Sequence, residues 1–385
     1  TFVESMKKTT ALTTVLAIAT FAGTSVAQSA YSFAQAPTSS VAQAESSWEN
    51  SKLVHTLPTV ASYAKFSSNG LLLVANGEQG KAIQLWDVTK GELLSSIKGD
   101  DTTYFGDVAI SPNGQFIASI IYSRIDKSIG VGLWNSKTGE AIWKKSIVTN
   151  SVEFPSQSDF EQIYLVSNVS SLEFSPNGQF IASSVQKSFG STNRQIQLWD
   201  VATGKKRFVL RSNIESLRQL RFSPDSQVLA SLGFNPDGAY NHKGMAQLWN
   251  TNTGKLLHTL KDELIPHRMI FSPNGQTLTS LSKDSMMYDA HLRTWNVKTG
   301  TTLRTVPVSV DRTDYLLSFT PDAKTHLTSG QVAGTRIFNS QTGKNWGLPG
   351  ANDVYTARTA LFSPDGQMLA IPTATGLPIW QAFGN

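Results

Sequence analysis

The sequence predicts an all-β fold, a seven-bladed ring of four-stranded antiparallel blades closed by an amino-terminal strand, and three observations carry that prediction. An apolar residue followed by Ser/Thr-Pro-Asn/Asp-Gly, or a near relative of that turn, recurs at Phe66, Ile110, Phe174, Phe222, Phe271, Phe319 and Phe362. An aromatic followed by Asp, Asn or Gln closes each unit, at Trp86, Trp134, Trp199, Trp249, Trp295, Phe338 and Trp380, so successive steps are 48, 65, 50, 46, 43 and 42 residues. Those steps lie near the roughly 40 to 45 residues of a four-stranded blade. Finally, Lys52–Leu57 repeats Lys255–Leu260 at five of six positions.

Each unit reads as strands a, b, c and d. Strand a ends at the Ser-Pro-Asn-Gly turn, where Pro presets φ and Gly supplies the left-handed residue. Strand b follows at once, as in Gln179 to Val185, and strand c alternates apolar and polar residues up to the aromatic, as in Ile196-Gln197-Leu198-Trp199. A period of two suits a strand packed between neighbours. Asp200 then accepts a backbone hydrogen bond, and Thr203-Gly204 makes a second tight turn. Strand d is outermost, as in Lys255–Leu260, and no such segment follows Trp380. Lys52–Leu57 is expected to supply it, pairing the two ends of the chain and leaving no free seam.

The Phe-Ser-Pro-Asn/Asp-Gly and Leu-Trp-Asp/Asn elements resemble the WD-repeat family of β-propellers, over about residues 51–385. The resemblance implies a seven-bladed β-propeller that scaffolds a complex and has no chemistry of its own. The Gly-His pair that often opens the family's repeats is absent, and Phe338 and Gln381 depart from the usual residues. The family's buried Asp-His-Ser-Trp network is therefore not expected throughout, which leaves stability to apolar packing.

Met6-Lys7-Lys8, the apolar stretch Ala11–Ala22 and the small residues Ser25-Val26-Ala27 read as a secretory signal over residues 1–27, starting at Met6 and cut after Ala27. Periplasmic or secreted localisation follows as an expectation. Residues 28–50, rich in Ala, Ser and Gln, are expected to be a flexible linker, with Trp48 either docked on the last blade or exposed. Beyond the signal no apolar run is long enough to span a bilayer. With no Cys there is no disulfide or thiol chemistry, and 33 Lys and Arg against 28 Asp and Glu, without a dense basic run, argue against nucleic acid as a dedicated partner.

No nucleophile elbow, phosphate loop or zinc-protease helix motif is present, so the chain is expected not to be an enzyme, with no catalytic residue, metal or cofactor. His55 and His258 occupy equivalent strand d positions and are read as structural. Asn235-Pro236-Asp237-Gly238 with Asn241 and His242 is a weak match to a Ca²⁺ loop, having one carboxylate, and is read as a turn.

Loop lengths are more informative. The a–b turn and the c–d turn stay short, whereas the b–c connections expand at Arg124–Ser128, Lys187–Arg194, Asn235–Lys243 and Lys283–Asp289, and a d–a connection expands at Ile147–Asn168. In an up-and-down blade all of these lie on one face, the expected binding face for an unknown protein or peptide partner. Phe154, Phe160 and Tyr164 in the largest insertion are aromatic anchors among acidic residues. Four residues before each turn's apolar residue stand Ser62, Gly106, Ser170, Arg218, His267, Tyr315 and Arg358, small in the first three and large and polar in the rest. Arg218, His267, Tyr315 and Arg358 either form a one-sided pocket for a carboxylate, peptide terminus or sugar, or fill the channel mouth. The propeller is expected to be monomeric by itself, and the alternative is an enzyme or a small-ligand or glycan-binding protein working at that mouth.

Overall fold

A computed structural model describes residues 46–148, 171–186, 194–237, 241–284, 289–308, 315–330, 334–340, 342–349, 351 and 360–384. Seven four-stranded antiparallel sheets follow one another, each ordered a-b-c-d, and form a seven-bladed β-propeller. Blade 1 is Ala64–Phe66, Leu72–Asn76, Ala82–Asp87 and Glu92–Lys98, and blade 2 is Thr103–Ile110, Phe116–Ser123, Ser128–Asn135 and Ala141–Val148. Blade 3 is Ser171–Phe174, Phe180–Gln186, Arg194–Asp200 and Lys206–Arg211, and blade 4 is Ser216–Phe222, Val228–Asp237, Asn241–Asn250 and Leu256–Asp262. Blade 5 is Ile265–Phe271, Thr277–Lys283, Ala290–Asn296 and Thr302–Pro307, and blade 6 is Tyr315–Phe319, Thr325–Gly330, Gly334–Asn339 and Asn345–Gly347. Blade 7 takes Leu361–Phe362, Met368–Ala370 and Leu377–Gly384 from the carboxyl end and Ser46–Leu57 from the amino end. Each strand a touches the strands a of the blades on both sides, all the way round, so these seven strands are the inner wall of the ring.

Closure by the amino-terminal strand is present, with Leu53 opposite Trp380 and Leu57 opposite Leu377. The strand is longer than its sequence suggested. It begins at Ser46 rather than Ser51, so residues 46–50 belong to the blade, and Trp48 is core, 2% exposed.

Local chemistry explains the repeat. In the a–b turn, Ser175 Oγ donates to Asn177 Oδ1 (2.7 Å) and accepts from Phe180 N (2.9 Å), which ties the turn to the first residue of strand b. Ser226 and Ala323 hold the left-handed turn position that is Gly elsewhere, with φ of 62° and 57°. After the closing aromatic, Asp200 Oδ1 accepts from both N (2.9 Å) and Oγ1 (2.7 Å) of Thr203.

The c–d turn also seals the blades to one another. At four of these turns a strand d side chain of the preceding blade lies on the turn glycine: His55 on Gly91, Trp143 on Gly204, Phe208 on Gly254 and His258 on Gly300. Three of them bond to the turn as well, His55 to Thr89 O (3.0 Å), His258 to Lys298 O (2.9 Å) and Trp143 Nε1 to Val201 O (2.8 Å). The repeat-equivalent histidines are therefore structural. A Cβ on Gly204 would stand 2.8 Å from Trp143, and φ is +62° there, so both space and backbone require Gly.

Part of the buried polar network exists. Trp199 Nε1 donates to Ser183 Oγ (2.9 Å) and Trp249 Nε1 to Ser231 Oγ (3.0 Å). In blade 1 the matching strand b residue is Ala75, and the buried Trp86 Nε1–H has no acceptor among the described residues.

Candidate functional site at the inner wall

Arg218 and His267 come together as neighbours on the strands a of blades 4 and 5. Both sit where the pairing with strand b skips a residue, Arg218 between Leu217 and Gln219 and His267 between Pro266 and Arg268. A bulge leaves its extra residue out of the ladder and re-aims the side chain. Arg218 Nη1 donates to His267 Nδ1 at 3.2 Å, and the guanidinium lies over the Phe234 ring at 4.9 Å. Both residues are half-buried. Burial, with Arg218, Arg268 and Lys283 adding to it, pushes His267 down to about 3. The imidazole is neutral at pH 7, and because Nδ1 accepts, its proton is on Nε2.

The strands a of blades 1 to 4 carry an ion cluster that reading one position per strand misses. Lys65 of blade 1 pairs with Asp107 of blade 2 (3.2 Å) and reaches past it to Glu173 of blade 3 (3.3 Å), while Arg221 of blade 4 pairs with Glu173 (2.6 Å). Lys65 Nζ also donates to the Leu172 carbonyl. Burial opposes ionisation of Glu173, but Arg221 and Lys65 outweigh it and hold the carboxyl below its usual range. Asp107 is pushed up, because burial exceeds what Lys65 and the Leu172 N–H (2.7 Å) supply. Arg268 is lowered to about 10 by burial first and then by Arg221. The signal was in the sequence: Lys65, Glu173 and Arg221 each stand immediately before the turn's apolar residue, and Asp107 and Arg268 three before it.

Side chains of the inner wall also bond blade to blade. Asp107, Ser171 and Gln219 accept from the backbone N–H of Leu172 (2.7 Å), Leu220 (3.0 Å) and Met269 (2.7 Å), each in the next blade.

Tyr315 begins strand a of blade 6, and its backbone pairs with Ser329. Arg358, Phe154, Phe160 and Tyr164 lie outside the described residues. The Asn235–Lys243 expansion, read from sequence as a loop, is largely strand: Asn235 pairs with Lys243 and Pro236 with His242, and the His242 ring lies 5.1 Å from Phe234. The backbone pairing continues to Asp237 opposite Asn241. Among the described residues no group of three His, Cys, Asp or Glu could hold a metal.

Asp262 of blade 4 and His291 and Ser282 of blade 5 form one network. His291 Nε2 and Ser282 Oγ each bond to Asp262 (2.8 Å and 2.8 Å), and Arg293 lies 3.5 Å from the same carboxylate. Activating a serine requires the histidine to stand between serine and carboxylate. Here the carboxylate is the hub, so the network braces strands d, b and c of adjoining blades.

Residues 163–200 match the WD40 family, described as "WD domain, G-beta repeat". The chain is similar to the small ribosomal subunit protein RACK1y of Oryza sativa subsp. japonica, 30% identical over 118 residues that are 31% of this chain and 32% of that protein. It is similar to protein tipD of Dictyostelium discoideum, 22% identical over 204 residues, 53% and 30% of the two chains. A third match is WD repeat-containing protein 90 of Homo sapiens, 29% identical over 106 residues, 27% and 6% of the two chains. The chain spans about a third or less of the length of these curated relatives. One repeat of this chain thus matches the WD40 model, and parts of it are similar to WD-repeat proteins.

Proposed function

We propose that this chain is an exported protein-interaction scaffold that holds a protein or peptide partner on the face where the b–c and d–a connections lie. The observation that carries this reading is the asymmetry of the blades. The a–b and c–d turns keep one hydrogen-bonded form, while blade 4 extends its b–c hairpin to paired strands of ten residues each. Loops on a rigid scaffold are where binding concentrates. The similarity to WD-repeat proteins, one of them by name a ribosomal subunit protein, points to assembly rather than catalysis. No helix among the described residues is long and apolar enough to cross a membrane. The scaffold is proposed to be monomeric until its partner binds.

Affinity capture from the exported fraction tests the reading, comparing the intact protein with one lacking Phe154–Tyr164 and one with the Asn235–Lys243 hairpin tip shortened. Loss of the same captured partner from either variant is expected, and capture unchanged by both would refute the assigned face. Export has its own test: mature protein recovered outside the cytoplasm should begin near Gln28, and soluble cytoplasmic protein retaining Met6 would refute it.

A second reading, favoured by the Arg218–His267 pair, is that the channel mouth takes a small ligand or glycan.

A further inference from the structure

Arg218 is held on two sides and left open on a third. Phe234 covers one face of its guanidinium at 4.9 Å, and Nη1 is committed to His267 Nδ1 at 3.2 Å. The Nε–H and Nη2–H edge, the side-on fork that matches a carboxylate, donates to no acceptor among the described residues. No carboxylate there forms an ion pair with Arg218. The nearby wall carboxylates are engaged elsewhere, Asp107 with Lys65 and Glu173 with Lys65 and Arg221. A half-buried guanidinium with no counter-charge among the described residues, retained at a bulge, points to a ligand that supplies one.

We propose that the inner wall between blades 4 and 5 binds a carboxylate on the Nε–Nη2 edge of Arg218, oriented by Phe234 and His267. The inference rests on the channel-mouth reading and names its ligand class. The side-on fork of two parallel donors matches a carboxylate. Two sources share that chemistry, a free small acid and the carboxyl end of a peptide. The planar fork also explains arginine in place of lysine, since only arginine offers two parallel donors while being clamped flat on a ring.

Calorimetric titration of the full chain tests the proposal with four probes: acetate, N-acetyl-trialanine with a free carboxyl end, the same peptide amidated, and maltose. The free-carboxyl peptide is expected to bind and the amide not. Binding of acetate as well would identify a small acid as sufficient, and binding of the peptide alone would identify a chain terminus. Arg218→Gln should weaken carboxylate binding about tenfold or more, and Arg218→Lys, which keeps the charge but loses the fork, should fall between. Without ligand, Arg218→Gln should melt no lower than the parent, because it removes a half-buried charge that has no counter-charge among the described residues. A purely structural arginine would lower the melting point and leave binding unchanged, and either result overturns the proposal. Equal binding of acid and amide also overturns it. Maltose binding without carboxylate binding would refute the ligand class and leave the channel-mouth reading standing, whereas no binding by any probe would refute both.

Discussion

Replacing Trp48 tests ring closure at its most buried anchor. The closing strand Ser46–Leu57 is fixed at both ends. Trp48, 2% exposed, meets Phe362 edge-on at 5.3 Å and joins a cluster with Leu327 and Ile337 of blade 6 and Leu369 and Trp380 of blade 7. Leu57, 1% exposed, packs with Leu377 and Ile379 of blade 7 and Trp86 of blade 1. Trp48→Ala removes the larger side chain and should cost about 3–5 kcal/mol. For a domain of about 340 residues the unfolding entropy is about 0.7 kcal/mol/K, so the melting point should fall by about 4–7 °C. The indole Nε1–H is buried without an acceptor among the described residues, which cancels part of what the ring contributes. Trp48→Phe, which keeps the apolar body and drops that donor, should therefore cost less than about 1.5 kcal/mol. Leu53→Ala is the control, because Leu53 is 38% exposed on the same strand; it should stay within about 0.5 kcal/mol. Thermal and urea unfolding followed by near-ultraviolet circular dichroism would measure all three. A Trp48→Ala protein melting with the parent, or a Leu53→Ala protein as unstable as Trp48→Ala, would refute closure as a source of stability.

Ala75→Ser should give Trp86 the acceptor that Ser183 and Ser231 give Trp199 and Trp249, raising stability by about 1 kcal/mol in urea unfolding; a loss would show that blade 1 has no room for the hydroxyl. Gly204→Ala and Gly343→Ala both place Ala at positive φ, but a Cβ meets Trp143 only at Gly204 and nothing within 4 Å at Gly343. The first should therefore cost more than the roughly 1–2 kcal/mol of the backbone alone, and equal costs would refute the blade seal. In acid, His267 binds its proton in the unfolded chain near pH 6.5 but in the folded chain only at about 3. Stability should accordingly fall as pH drops through that window, and His267→Gln should flatten the slope. Asp262 and Glu173 have folded values depressed from 3.8 and 4.5; their contribution is present above those ordinary values and is lost as pH falls through the folded ones. Urea midpoints measured from neutral to acid pH would check both signs.

The blades were legible because their local chemistry repeats: a Ser hydroxyl, an Asn or Asp acceptor and a left-handed residue define one turn whatever surrounds it. The duplicate of Lys255–Leu260 at Lys52–Leu57 revealed closure, but not that pairing continues to Ser46, since Ser46-Ser47-Trp48 is anchored by contacts from blades 6 and 7 that no local pattern encodes. The long hairpin at Asn235–Lys243 was hidden by Asn, Pro, Asp and Gly, residues that usually mark a turn. Of the inner wall, Arg218 and His267 were found because they stand out at one repeat position. Lys65, Asp107, Glu173 and Arg221 were missed because their pairing skips between blades and repeat positions, and a charge on a strand reads as solvent-facing until its partner is known.

The antiparallel closing pair sets Ser46 opposite Gly384 and Leu57 opposite Leu377. The two outermost pairing positions are thus those nearest the ends of the chain, so tension applied between Ser46 and Gly384 would load one backbone bond pair at a time and peel the strand inward. A shear geometry, with all pairs loaded together, would need the opposite direction of entry. Resistance to heat and resistance to pulling therefore part company in this ring: the strand that completes the last blade is also its mechanical release point.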